Sequence, residues 1–85
     1  MSYQIEFVPS AATALRGIPD KLRAQLEKKI DQLAVNPRPP GCEKLSGLEG
    51  LYRIRSGDYR AVYQIQDKKL LVLIVKIGHR KEIYR

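Results

Sequence analysis

From Tyr3 to Val8 the chain alternates, with Tyr3, Ile5 and Phe7 on one side and Gln4 and Glu6 on the other, the period of a half-buried strand. The spacing then lengthens. Pro9-Ser10 opens a short helix over about residues 10–16, which Gly17 closes. Asp20, preceded by Pro19, is the predicted N-cap of a longer helix running to about Val35. Its apolar residues Leu22, Leu26, Ile30 and Leu33 keep to one helical face, and Arg23, Glu27, Lys28 and Asp31 occupy the others. Asn36-Pro37 ends it. Residues 36–50, with Pro37, Pro39, Pro40, Gly41, Gly47 and Gly50, read as a connecting loop.

Three further strands are predicted over about 51–56, 59–66 and 69–77, separated by Gly57-Asp58 and by Asp67-Lys68. Connections this short specify antiparallel neighbours. The predicted fold is therefore α+β: an N-terminal strand, two helices and a three-strand antiparallel meander, with the helices packed on one face of the sheet. A chain of 85 residues makes one domain, residues 1–85, because it buries only about 60 to 65% of its unfolded surface. No internal repeat is visible.

If Gly57-Asp58 is a two-residue turn, Ser56 faces Tyr59 and Arg55 faces Arg60. Alternate residues then fall into two sets. Tyr52, Ile54, Tyr59, Ala61, Tyr63 and Ile65 form an apolar face that covers the helices, which makes the three tyrosines core residues. Arg53, Arg55, Arg60, Val62 and Gln64 form the other face. This register opposes two guanidiniums at about 5 Å between Cβ atoms. Their repulsion is about 1 kcal/mol in water and several times that where solvent is partly excluded. A bound anion reverses the sign of that cost. Any one of these arginines alone reads as a solvated outer face; three together opposite a core face read as an anion site, because guanidinium grips phosphate oxygens in two-pronged fashion.

The charge distribution strengthens that reading. The net charge is +7, and residues 1–50 carry seven Lys/Arg against six Asp/Glu, whereas residues 51–85 carry nine against three. The expected partner is a polyanion. No basic amphipathic helix accompanies the charge, so a membrane is not expected. Nor does any apolar run approach the roughly 20 residues that span a bilayer. The lone Cys42 can neither staple the fold nor complete a metal site, which suits a reducing, cytoplasmic setting. No carboxylate pair, metal-ligand cluster or phosphate-cradling glycine loop is present, so no cofactor or metal is expected.

After the third meander strand comes Gly78-His79-Arg80-Lys81-Glu82-Ile83-Tyr84-Arg85. His79 is the only histidine and reads equally as a turn residue or as a proton-transfer group. Tyr84 reads as tail packing, as a stacking platform for a base, or as a proton-handling phenol. Positive neighbours favour its phenolate.

Taken in order, Lys44-Leu45-Ser46-Gly47, Tyr52-Arg53-Ile54-Arg55, Asp58-Tyr59-Arg60-Ala61-Val62-Tyr63 and Gly78 to Tyr84 make the chain similar, over essentially its whole length, to toxins of the RelE/ParE superfamily, on the RelE side. The resemblance implies an endoribonuclease that cuts messenger RNA in the ribosomal A site and is silenced by a cognate antitoxin. It implies operator DNA as a partner only of the toxin–antitoxin complex. By position it assigns the active site to Arg53 and Arg55, Arg60, Arg80 and Tyr84, and the implied chemistry is 2′-hydroxyl attack that needs no metal. The first-strand positions often carry lysine in RelE-side members. Arginine holds its proton more tightly, so His79 or the Tyr84 phenolate becomes a candidate for proton transfer. The superfamily also offers an alternative, a ParE-like toxin that inhibits DNA gyrase by binding and cuts nothing.

Overall fold

In the computed structural model, which describes residues 2–45, 47 and 50–83, two helices lie against one face of a five-stranded mixed sheet. The elements in chain order are β1 (Gln4–Phe7), α1 (Pro9–Arg16), α2 (Asp20–Gln32), β2 (Glu43–Lys44), β3 (Leu51–Ser56), β4 (Tyr59–Gln66), β5 (Leu71–His79) and α3 (Arg80–Ile83). The strands are ordered β1-β5-β4-β3-β2. β1 pairs parallel to β5, from Gln4 opposite Leu71 to Phe7 opposite Ile74. The other pairings are antiparallel. The meander thus occupies the middle of the sheet, with β4 at its centre.

The predicted register holds. Ser56 pairs with Tyr59, Arg55 with Arg60 and Ile54 with Ala61. Gly57 takes φ +61°, and among the described non-glycine residues only Leu70 has positive φ. Glycine first and a negative-φ residue second is the pattern of a type II′ turn, whose twist matches that of the flanking strands. With parity fixed, Ile54, Ala61, Tyr63 and Ile65 meet Val72, Ile74 and Ile77 of β5, and Ala11, Leu15, Leu26, Ile30 and Leu33 close the core from the helices. The pairing of β4 with β5 shifts between Val62 and Tyr63, where Val75 is the extra residue.

Several details depart from the predicted elements. Pro19, not Asp20, is the N-cap of α2. Its extended backbone (φ −52°, ψ 142°) presents its carbonyl to the Arg23 N–H at 2.8 Å, so Asp20 becomes the first helical residue. There its carboxylate still favours the N-terminal end of the helix dipole and pairs with Arg23 at 2.9 Å. The helix ends at Gln32, short of Val35, because the Leu33, Ala34 and Val35 N–H groups donate three residues back, to Ile30, Asp31 and Gln32, and tighten the last turn. Leu22 is 38% exposed, so the buried stripe of α2 begins one turn later, at Leu26. The connecting loop contains the short edge strand β2, pairing Glu43 with Arg53 and Lys44 with Tyr52. The last strand is displaced by two residues. Residues 67–69 form a 3₁₀ turn, and β5 continues through Gly78 and His79, which pair with Arg60 and Tyr59.

Leu26 is fully buried and Leu22 is not, so the two leucines should respond differently to truncation. Leu26→Ala should cost about 3 kcal/mol of unfolding free energy and Leu22→Ala less than about 1, as measured by urea denaturation.

Candidate phosphate-binding site

Strand parity sends Arg53, Arg55 and Arg60 to the sheet face opposite the helices, and each solves its electrostatic problem differently. Arg53 lies between Val62 of β4 and Glu43 of β2, and its Nη2 donates to the Glu43 carboxylate at 3.2 Å. The short β2 strand therefore supplies a counter-charge beside one of the predicted site residues. Arg55 is exposed, and its carbonyl accepts from Lys29 Nζ at 2.8 Å, which ties α2 to the end of β3.

Arg60 does not project into solvent as the two-face pattern predicts: it is 5% exposed, on the central strand. Its Nη1 donates to the Gly57 carbonyl at 2.9 Å and to the Tyr59 carbonyl at 3.1 Å. The side chain is thus folded back along its own strand toward the turn, while Arg55 is its cross-strand neighbour. Carbonyl dipoles take up the charge that the register would otherwise set against a second guanidinium. Across from it on β5 stands Gly78, which presents no side chain to crowd the guanidinium stem.

The same turn collects the tail. Arg80 donates its backbone N–H to the Asp58 carbonyl at 2.7 Å, and its Nε stands 3.7 Å from the Asp58 carboxylate. The start of α3 is thereby docked on the hairpin that carries Arg60. His79 lies on the other side of the sheet. It pairs with Tyr59, with ring centroids 5.6 Å apart and planes at 81°, and shares a cavity of about 280 Å³ with Ala14, Gly17 and Ile18 of the helical layer. Its Nδ1 accepts the Lys81 N–H at 3.3 Å, and its Nε2 is 3.9 Å from the second Asp58 oxygen. The structure therefore gathers Arg53, Arg55 and Arg60 on one face, with Arg80 docked on the turn. It puts His79 on the opposite face. Tyr84 and Ser46 lie outside the described residues. Among the described residues no group of three or more His, Cys, Asp or Glu is placed to hold a metal ion.

A second polar cluster, absent from the sequence reading, closes the far end of the β3–β4 hairpin. Arg38 donates from Nη2 to Asp67 at 2.9 Å and from Nε to the Tyr52 hydroxyl at 3.1 Å, and its guanidinium lies 5.3 Å from the Tyr52 ring centre. The Tyr3 hydroxyl donates to Asp67 at 2.6 Å. Tyr52 stacks on Tyr63 at 6.0 Å between centroids, and the Tyr63 hydroxyl donates to the Pro37 carbonyl at 2.8 Å. The hydrogen bonds from Arg38 and Tyr3 hold the Asp67 carboxyl below the usual carboxylate range. The Asp67 partnership in turn raises Tyr3, while burial is the main cause pushing Tyr63 up. Twenty-nine residues separate Arg38 from Asp67, so no local pattern marks the pair. Only the turn position of Asp67 was legible in sequence.

Since Asp67 is lowered in the fold, its contribution to stability is complete above the unfolded carboxyl value, about 3.9, and is lost as pH falls through the lower folded value. Asp67→Asn should therefore lower the melting temperature near neutrality, and the gap from the wild type should shrink as the pH falls below the ordinary carboxyl range. Melting curves across that range provide the check.

With this geometry in place, comparison with known proteins is informative. Residues 5–84 match the family model described as the ParE toxin of type II toxin–antitoxin systems, parDE. The chain is 35% identical over 88 residues to the Escherichia coli K12 protein named mRNA interferase toxin RelE, covering 99% of this chain and 92% of that one. It is 37% identical over 84 residues to Toxin RelE of Mycobacterium tuberculosis H37Rv, covering 98% and 87%. The crystal structure of the isolated E. coli RelE toxin superposes with a TM-score of 0.84 at 32% identity, covering 98% of this chain and 92% of that one. A chain of the intact E. coli RelBE toxin–antitoxin complex gives 0.82 at 34% identity, covering 92% and 96%.

Proposed function

This chain belongs to the ParE toxin family of type II toxin–antitoxin systems, and we propose that it is an mRNA interferase that cuts messenger RNA in the ribosomal A site. The observation that carries this reading is the cationic group at the β3–β4 hairpin. Arg55 and Arg60 are direct cross-strand partners, Arg53 is on the same face, and Arg80 is docked on the turn between the strands. A phosphodiester laid across that group meets guanidiniums from two strands and the tail.

The reaction that suits such a site is transesterification. The 2′-hydroxyl oxygen attacks the adjacent phosphorus in line, and the bond to the 5′ oxygen breaks. The products are a 2′,3′-cyclic phosphate and a 5′-hydroxyl end. Arg60 and Arg80 stabilise the charge that develops on the non-bridging oxygens, while Arg53 and Arg55 hold the flanking backbone. Tyr84 orients the nucleotide and handles a proton. In this reading His79, packed against Tyr59 and 3.9 Å from the Asp58 carboxylate, supports the turn and takes no part in proton transfer. None of these steps calls for a metal ion.

Arg60 is buried and anchored to carbonyls before any substrate arrives, so part of the cost of ordering a phosphate-binding side chain is met by folding. The excess of positive charge predicts an antitoxin whose segment over or near this face is acidic or amphipathic. A RelB antitoxin accompanies the E. coli and Pyrococcus horikoshii RelE toxins in solved complexes. We infer that this chain meets operator DNA only as part of the complex with its own antitoxin.

Purified protein added to ribosomes stalled on a defined message should cut it in the A-site codon and leave a 2′,3′-cyclic phosphate. Substituting a 2′-deoxynucleotide at the cut should abolish cleavage, and Arg80→Ala should slow it by about 100-fold with the melting temperature unchanged. An intact message combined with inhibition of gyrase supercoiling would replace this reading with the gyrase-binding one.

A further inference from the structure

The β3–β4 turn carries a carboxylate in the middle of the cations. Only three acidic residues, Asp58, Asp67 and Glu82, occur among residues 51–85, against nine Lys and Arg. Asp67 is engaged by Arg38 at the far end of the hairpin. Asp58 sits at the near end, with one oxygen 3.7 Å from Arg80 Nε and the other 3.9 Å from His79 Nε2. Its carbonyl meanwhile fixes the Arg80 backbone at 2.7 Å.

Neither turn chemistry nor stability accounts for a negative charge here. The second central position of a type II′ turn is served equally by asparagine or serine. An ion pair at these distances, made by a side chain 62% exposed, contributes little to folding. What the carboxylate does have is the form of the ligand: two oxygens and a negative charge, presented to Arg80 beside the place where Arg60 is anchored to the Gly57 and Tyr59 carbonyls.

We propose that Asp58 is a positioning residue for the phosphate site, an internal stand-in for the anion that holds the Arg80 guanidinium over the turn until an RNA phosphate takes its place. Two effects follow. Asp58 keeps Arg80 oriented, which favours the reaction, and it competes with RNA for the same guanidinium, which weakens binding. Removing its charge therefore separates the two. Substrate binds more tightly and reacts more slowly, a combination that a purely structural residue does not produce.

The rate arm of the test rests on the ribonuclease reading above; the binding arm does not. Asp58→Asn keeps the backbone carbonyl and the turn preference while removing the charge. Asp31→Asn, on the exposed side of α2, makes the same change in net charge away from the site. Fluorescence anisotropy with a single-stranded oligoribonucleotide should show Asp58→Asn binding about threefold more tightly than Asp31→Asn. On ribosome-bound message, Asp58→Asn should lower kcat by about tenfold while KM falls, and Asp58→Glu should recover most of kcat. The Arg80 Nε–H resonance should shift in Asp58→Asn and stay in place in Asp31→Asn. Equal binding by the two asparagine variants, or an unmoved Arg80 resonance, would overturn the proposal. So would an unchanged kcat. If the wild type leaves every message intact, the ribonuclease reading fails, and the binding and resonance measurements still decide the role of Asp58.

Discussion

Everything on the cationic face depends on the two-residue turn at Gly57-Asp58. A hairpin turn of this length admits one register, and a slip of a single residue would exchange the two faces of one strand. In the observed register Ile54, Ala61, Tyr63 and Ile65 are buried under the helices, which forces Arg53, Arg55 and Arg60 to the other side. The hydrophobic core and the cationic face are thus two consequences of one constraint. Gly57, at φ +61°, supplies the backbone conformation that this turn requires.

That constraint brings two like charges together, and the fold relieves the conflict without giving up either arginine. Arg60 turns back to the Gly57 and Tyr59 carbonyls, whereas Arg55 stays exposed at the end of β3. Burial of an arginine on a central strand is tolerable only because hydrogen-bond acceptors meet it there. Two of these acceptors are carbonyls of the same hairpin, Gly57 and Tyr59. A guanidinium held in this way is pre-organised at little extra entropic cost, which is what a site for a developing negative charge needs.

Most of this was readable from residue types and spacing. The two-residue turn, the two-face split and the clustering of arginines all follow from local sequence, because turn chemistry and strand parity operate over a few residues. What escaped was non-local. Arg60 is buried on the central strand, and that central place is set by β1 joining beside β5 across the two helices and the three strands between them. His79 was read as a turn residue or a proton-transfer group, and its strand position opposite Tyr59 follows from β5 running two residues further than its apolar stretch indicates. β2 was hidden in a Pro- and Gly-rich loop, since two residues paired with β3 leave no periodicity to detect. The Arg38–Asp67 contact had the same problem across a longer gap.

The hairpin consequently has two chemically different ends. At the far end Arg38 is matched by Asp67 and the Tyr52 hydroxyl, so its charge is spent within the protein and serves the fold. At the near end Arg80 and His79 face the Asp58 carboxylate, Arg60 bonds to the Gly57 and Tyr59 carbonyls, and Arg55 is exposed. Exposed like charges are unfavourable in the free protein, and an anion placed among them would reverse the sign of that cost. Because exposed charge is screened by salt and buried charge much less so, added salt weakens the field of the exposed Arg55 and Arg80 far more than that of the buried Arg60.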